Sequence, residues 1–308
     1  MKKDLVSLFD LSKEIIQKLI FKAIDLRDEL KFEPVLPYLE GKILALVFEK
    51  PSLRTRVTFE VAIRQLGGSA IYLGPTDIGL GKRESVADVA KNLSRWVNVI
   101  SARTFSHNTV IELAKFSTVP VINALSDLEH PCQVLADFLT IYDKVGRLNN
   151  VKIAWVGDGN NVCHSLMIAS ALLGAHLKIA TPKEYGPRPE ILTRTLELAK
   201  ASGGKIELVN EPESAVSESE FIYTDTWISM GQESEAEKRR IIFKKFQVNA
   251  QLLSHAPRGY WVMHCLPAHR GEEITDDVID GPHSIVLDQA ENRLHIQRAI
   301  LLYLLGKF

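Results

Sequence analysis

The chain is poor in cysteine, carries no excess charge of either sign and contains no long apolar run. Each absence removes a class of protein. Only three cysteines occur in 308 residues, Cys132, Cys163 and Cys265. An odd count without framework spacing excludes a disulfide scaffold and fits reduced thiols in the cytosol. Thirty-seven basic residues face 38 acidic ones, for a formal net charge of −1, so nothing calls for nucleic acid or an anionic membrane surface as partner. No apolar stretch approaches the ~18 residues of a membrane span. The opening MKKDLVSLFD has acidic residues where a signal peptide needs an apolar core. A cytoplasmic location is expected.

Missing motifs narrow the chemistry further. GxxxxGK[ST] does not occur, because Gly81-Lys82 is followed by Arg83 and lacks the upstream glycine. The turn VGDGNNV at 156–162 begins like a dinucleotide fingerprint, but Val162 occupies the place of the third glycine. A nicotinamide cofactor is therefore not expected. Three His/Cys neighbours, His130 with Cys132, Cys163-His164 and His264-Cys265, match no structural-zinc spacing. Adjacent residues on a strand also point to opposite faces, so no metal is expected. No short-period repeat or low-complexity segment appears.

What is present reads as a globular α/β protein. Hydrophobic residues make up 46% of the chain and charged ones 24%, and the length suits about two domains of ~150 residues. An amphipathic helix spans 10–31. Buried strands are predicted at 43–48, 70–73, 97–102 and 119–122, with helices at 53–66, 84–97, 107–116 and 131–145 between or after them. Residues 74–83, GPTDIGLGKR, are too polar and glycine-rich for a core element and read as a surface loop or functional flap. The polar turn at 146–150 marks a boundary between domains at 1–147 and 148–288. The second domain repeats the plan, with strands at 151–156, 176–180, 206–209, 220–224 and 260–263 and helices at 162–173 and 188–201. Residues 231–240 begin a charged helix or a mobile loop, and a final helix at 289–305 can pack back on the first domain. Alternating strands and helices imply two mainly parallel sheets flanked by helices, the second Rossmann-like.

In such sheets ligands bind at the carboxyl ends of the strands. The strand at 43–48 runs into Pro51 and Ser52-Leu53-Arg54-Thr55, an N-capped helix start with apolar residues at Leu53, Val57 and Val61. A helix N-terminus with two hydroxyls and the guanidinium of Arg54 suits a phosphate, although an ordinary capped helix with surface arginines reads the same way. Arg103 ends another strand, and His130 and Gln133 follow a third in the segment HPCQ. In the second half, Asn161, the segment Asp225 to Gly231 (DTWISMG) and His264-Cys265-Leu266-Pro267 occupy the same kind of position. They can read a polar amino acid, or they can be a tight-turn asparagine, a capping aspartate and a buried cysteine.

Together these segments resemble the aspartate/ornithine carbamoyltransferase family. SLRTR at 52–56 is similar to its Ser-Thr-Arg-Thr-Arg phosphate turn and HPCQ at 130–133 to its second carbamoyl phosphate motif. DxxxSMG at 225–231 and HCLP at 264–267 are similar to its ornithine-side segments, and GDGNN at 157–161 and ENR at 291–293 fall in the family order. The likeness covers essentially the whole chain. Two departures are Leu53 where threonine is usual, and Gly79 where some relatives carry a His or Gln that reaches a neighbouring subunit.

The resemblance implies transfer of the carbamoyl group of carbamoyl phosphate to the side-chain amine of L-ornithine, giving citrulline and phosphate, in arginine metabolism and without cofactor. Ser52, Leu53, Arg54 and Thr55 would hold the phosphate, and Arg103, His130 and Gln133 the carbamoyl group. Cys265, Leu266 and Arg293 would close the site. Thr55, Arg103 and His130 would face the developing oxyanion, and Cys265, near Asp225, would take the proton. Asn161, Asp225, Ser229 and Met230 would bind ornithine, with 231–240 as a lid hinged at Gly231. It further implies a homotrimer or a multiple of trimers, the 74–83 loop reaching the next subunit. Competing readings are a carbamoyltransferase for putrescine or aspartate, a binding protein that keeps the fold without turnover, and a nicotinamide oxidoreductase.

Overall fold

The computed structural model describes residues 3–81, 83–229 and 231–308. The chain divides into two compact units, Met1–Leu139 with Glu291–Phe308, and Thr140–Ala290. The first division falls inside helix Pro131–Val145 rather than in the polar turn after it. That helix is continuous because nothing between Pro131 and Gly146, where φ reaches +67°, can stop it.

The first unit holds a four-stranded, all-parallel sheet of order β2-β1-β3-β4, with β1 at Ile43–Phe48, β2 at Ser69–Leu73, β3 at Val99–Arg103 and β4 at Val121–Leu125. β1 and β3 are almost wholly buried, as expected of a β-branched run covered on both faces. β4 starts and ends later than the 119–122 predicted from its apolar run. Asn123 interrupts that run, but its N–H donates to Leu5 O (2.8 Å) and its Nδ2 to Val6 O (3.0 Å). Pairing with the N-terminal segment thus lets a polar residue stay inside the sheet. Residues 74–83 are not wholly loop: Pro75–Ile78 forms one helical turn, closed by Gly74 N donating to Asp77 Oδ2 (2.7 Å) and stopped at Gly79, φ +53°. Helix Lys13–Glu29 begins later than predicted, because Ser12 caps it by accepting from Ile15 N (3.4 Å).

The second unit holds a five-stranded parallel sheet of order β7-β6-β5-β8-β9, with β5 at Lys152–Val156, β6 at His176–Ala180, β7 at Lys205–Val209, β8 at Phe221–Thr224 and β9 at Trp261–His264. The polar segment after Gly231 resolves into a short turn and helix Ala236–Phe243. Phe243 is fully buried and stacks on Trp227 with ring centroids 5.8 Å apart, which anchors that helix on the core. Among the described residues no helix is long and apolar enough to cross a membrane.

Both sheets have one place where the winding direction reverses. In the first it lies between β1 and β3, and in the second between β5 and β8. A crevice opens at such a switch, at the carboxyl ends of the two strands. Residues 49–56 and Arg103 stand at the first, residues 157–161 and Asp225 at the second.

Candidate active site

In the first unit, helix Leu53–Gln65 starts directly after β1, with Ser52 as its cap accepting from Thr55 N (3.3 Å). First-turn amides have no carbonyl partner within a helix, so this end favours an anion. Leu53 is 74% exposed, so its side chain takes no part and only its backbone counts there. The two cations of the turn separate. Arg56 lies over the Tyr72 ring at 3.8 Å and pairs with Glu60 (2.9 Å), which commits it away from the strand ends.

Thr55 is fully buried, and its Oγ1 accepts from Arg293 Nη2 (2.9 Å), leaving the hydroxyl proton free to donate elsewhere. Arg103 is buried at the end of β3, its carbonyl accepting from Glu49 N (2.9 Å). His130 is buried too. Its pKa lies well below the ordinary imidazole range, first because burial penalises the cation and then because Arg293, Arg103, Lys50 and Arg54 repel it. The ring is therefore neutral, with one N–H to offer. Gln133 donates Nε2 to Asp137 Oδ1 (2.9 Å), and its Oε1 is buried without a hydrogen-bond partner among the described residues. A carboxylate can only accept, which fixes the amide and leaves an acceptor suited to an N–H of a ligand.

Sequence reasoning missed Lys50. It is only 8% exposed, and its Nζ lies 5.0 Å from the centroid of the Phe105 ring. Burial foremost and then Arg103 push its pKa down to about 8. A lysine next to a proline carries no signal of its own; only the fold brings it beside Arg103.

In the second unit, Asp225 follows β8 and is buried. Its Oδ1 accepts from Cys265 Sγ (3.0 Å) and its Oδ2 from Asn160 Nδ2 (2.8 Å). The asparagine that reaches Asp225 is Asn160, which precedes the candidate ligand-binding Asn161. Asn160 caps helix Asn161–Leu173, accepting from Val162 N (3.0 Å) and Cys163 N (3.1 Å), and its amide still turns to the carboxylate. Ser229 N donates to Gln232 Oε1 (3.1 Å), closing the loop after Asp225. Met230 lies outside the described residues. Cys265 and Leu266 follow β9, with Leu266 at φ +59° before a cis bond to Pro267. Arg239, also missed, is buried and donates Nη1 to Trp227 O (2.9 Å) while pairing with Asp158 (3.2 Å), which ties helix Ala236–Phe243 to the segment after Asp225.

Two groups of donors among the described residues could be read as metal sites: Asp225 with His264 and Cys265, and His269 with Glu272 and Glu273. Most of their groups are engaged internally, with Glu273 Oε2 buried without a hydrogen-bond partner among the described residues. His264 engages Glu273 through Nε2 (3.1 Å) and Leu266 N through Nδ1 (2.9 Å). Glu272 accepts from Arg240 (2.9 Å), and His269 Nδ1 meets Thr226 Oγ1 (2.9 Å). Neither donor set is therefore assigned to a metal.

The three thiols differ sharply. Burial pushes Cys132 up to about 12 and Cys163 well above the usual thiol range, whereas Cys265 is partly exposed. The thiolate is the reactive species. A disulfide reagent on the native protein is therefore expected to modify one thiol rapidly, and C265A to abolish that phase. Rapid reaction of two or three thiols would contradict these burials.

Known protein families match both halves of the chain. The sequence model described as "Aspartate/ornithine carbamoyltransferase, carbamoyl-P binding domain" matches residues 3–143, and that described as "Aspartate/ornithine carbamoyltransferase, Asp/Orn binding domain" matches residues 149–304. The ornithine carbamoyltransferase of Pyrococcus horikoshii is 53% identical over 304 residues, 99% of this chain and 96% of its own. That of Bacillus thuringiensis is 52% identical over 302 residues, 98% of this chain and 94% of its own. The solved ornithine carbamoyltransferase of Pyrococcus furiosus superposes with a TM-score of 0.97 at 52% identity, covering 100% of this chain and 98% of that one. With one of its two domain models on each half and relatives matched almost end to end, the chain belongs to the aspartate/ornithine carbamoyltransferase family.

Proposed function

We propose that the protein transfers the carbamoyl group of carbamoyl phosphate to the side-chain amine of L-ornithine, releasing citrulline and phosphate. The observation that carries this reading is the group of cations, Arg293, Arg103, Lys50 and Arg54, around the buried His130. That cluster suits a small dianion bearing a carbonyl. Ser52, Thr55, Arg54 and the backbone at Leu53 hold the phosphate. Arg103, the Thr55 hydroxyl and His130 face the carbonyl oxygen, and Gln133 Oε1 accepts from the carbamoyl nitrogen. Arg293 keeps Thr55 in place.

The amine lone pair of ornithine attacks the carbonyl carbon, the C–O bond to phosphate then breaks with its electrons leaving on phosphate, and the surplus proton of the attacking nitrogen passes to the departing phosphate. Charge grows on the carbonyl oxygen and on the leaving group, where fixed donors act most strongly. An amine that is mostly protonated at neutral pH, like lysine at ~10.4, must first lose a proton. Cys265 and Asp225, bonded at 3.0 Å, are the acceptor pair. Asn161, Ser229 and Met230 complete the ornithine side, with Asn160 orienting Asp225, and the segment 231–240 serves as the lid, hinged at Gly231. A carboxylate at that position favours a cationic amino acid over aspartate.

The test is citrulline formation with ornithine, putrescine, aspartate and N-acetylornithine offered in parallel. A strong preference for ornithine is expected. Preference for another acceptor would overturn the assignment at 225–231, and silence with all four would overturn catalysis.

Assembly as a homotrimer completes the reading. It is supported by apolar side chains left outside on the first unit: Trp96 is 67% exposed, and Val57 and Ile71 about half. Sedimentation at the monomer mass would remove it. Three free thiols support a reducing, cytoplasmic location.

A further inference from the structure

One fully buried carboxylate joins two of the segments assigned to ornithine. Glu273 Oε1 accepts from His264 Nε2 (3.1 Å) and from the His269 backbone N–H (2.6 Å). His264 is itself fully buried, and its Nδ1 accepts from Leu266 N (2.9 Å). The ring proton must therefore sit on Nε2, pointing at Glu273. The carboxylate selects the tautomer, and the tautomer supplies the acceptor for Leu266. Leu266 needs that acceptor: at φ +59° it occupies the left-handed region, which a residue with a branched side chain enters only when its surroundings hold it there. Cys265, between these two residues, donates Sγ to Asp225 (3.0 Å).

A second arm leaves the same carboxylate. His269, held by its backbone N–H on Oε1, turns ring Nδ1 to Thr226 Oγ1 (2.9 Å), while Glu273 Oε2, 3.7 Å from that ring nitrogen, has no hydrogen-bond partner among the described residues. Thr226 Oγ1 accepts in turn from Ile228 N (3.3 Å) and follows Asp225 directly in the chain. Each arm fixes the backbone at or beside a residue assigned above to the substrates.

We propose that Glu273 is a positioning residue for the transfer reaction. It holds the turn at Cys265-Leu266 and the segment 225–229 in one register by accepting from His264 and His269. This inference rests on the function proposed above. A misplacement near 1 Å in such a site costs ~10²-fold in rate. Glu273→Met keeps the volume and removes the acceptor, so His264 loses the partner that fixes its proton. It is expected to lower kcat/KM for ornithine by ~10²-fold, mostly in kcat, while carbamoyl phosphate affinity measured calorimetrically without ornithine stays within about twofold. Glu273→Gln keeps an oxygen at Oε1 and is expected to restore turnover to within about fivefold of the natural protein.

Near-natural turnover in E273M, or an equal loss in both variants, would overturn the proposal. Should E273M fail to fold, T226V decides, since it cuts the second arm at a partly exposed position. A loss of ~10-fold in kcat/KM for ornithine supports the proposal, and an unchanged value overturns it. Absence of citrulline with the natural protein would instead overturn the proposed function, so the two failures are distinguishable.

Discussion

Replacing Arg103 by methionine is expected to lower kcat/KM for carbamoyl phosphate by ~10²–10³-fold, the usual consequence of losing one donor aimed at a developing oxyanion. The fold should survive. Arg103 is buried, its backbone is held by β3 and by Glu49 N, and methionine fills most of the space of the stem. Two effects add at the site. The guanidinium itself is lost, and so is one of the four charges that keep His130 neutral. The His130 ring then protonates more readily, so the activity of R103M should fall further as pH drops than that of the natural protein. Arg56→Met is the control. Arg56 carries the same charge two residues beyond Arg54, but it is occupied by Tyr72 and Glu60, and its removal should cost less than about threefold. Steady-state rates with a melting curve for each variant check both. Rates within tenfold of normal in R103M would remove Arg103 from the oxyanion.

The strand ends were readable because their signals are local. The apolar run of β1, the proline after it and the serine cap lie within ten residues of one another, and each acts through backbone rules that need no partner from elsewhere. The same holds for Arg103 at the end of β3 and for the turn after β5. What stayed hidden depends on contacts between distant segments. β4 extends past Asn123 only because residues near Leu5 pair with it, and no pattern around 123 announces that. Lys50 is unusual only once Phe105 and Arg103 surround it. Asn160 and Asn161 are equivalent as letters; helix capping turns one of them to Asp225. Leu53 departs from the family pattern, with only a modest effect expected because the position can serve through its backbone N–H, and its side chain is exposed. Helix Ala236–Phe243 reads as a plain charged segment, and the buried Arg239 within it belongs to no motif.

Arg239→Met should then weaken both stability and ornithine use, with a cost that grows with pH. Arg239 pairs with Asp158 in the turn after β5, holds Trp227 O in the segment after Asp225 and lies over the Tyr185 ring at 4.7 Å. Asp158 sets the pH dependence. Burial raises its pKa from 3.8 to about 6, and Arg239 is the largest influence opposing that rise. The folded protein therefore binds a proton between about pH 4 and pH 6 that the unfolded chain does not. Stability from this group is full below pH 4 and declines as pH rises through 6, by about 3 kcal/mol in all. Asp158→Asn does not titrate, so the stability of the natural protein relative to D158N should fall by ~2–3 kcal/mol from pH 4.5 to pH 7.5. Removing Arg239 raises the carboxyl further, so R239M should lose ~1 kcal/mol at pH 5, where Asp158 is protonated in either protein, and ~3 kcal/mol at pH 8, where ionisation leaves a charge without its partner. Urea midpoints at the two pH values read this directly, and a cost independent of pH would show that Asp158 does not govern it. The released Trp227 carbonyl frees the segment that carries Asp225 and Ser229. The KM for ornithine should accordingly rise by ~10-fold while carbamoyl phosphate binding is unchanged. An equal loss for both substrates would mean that Arg239 supports the fold and not the ornithine segment.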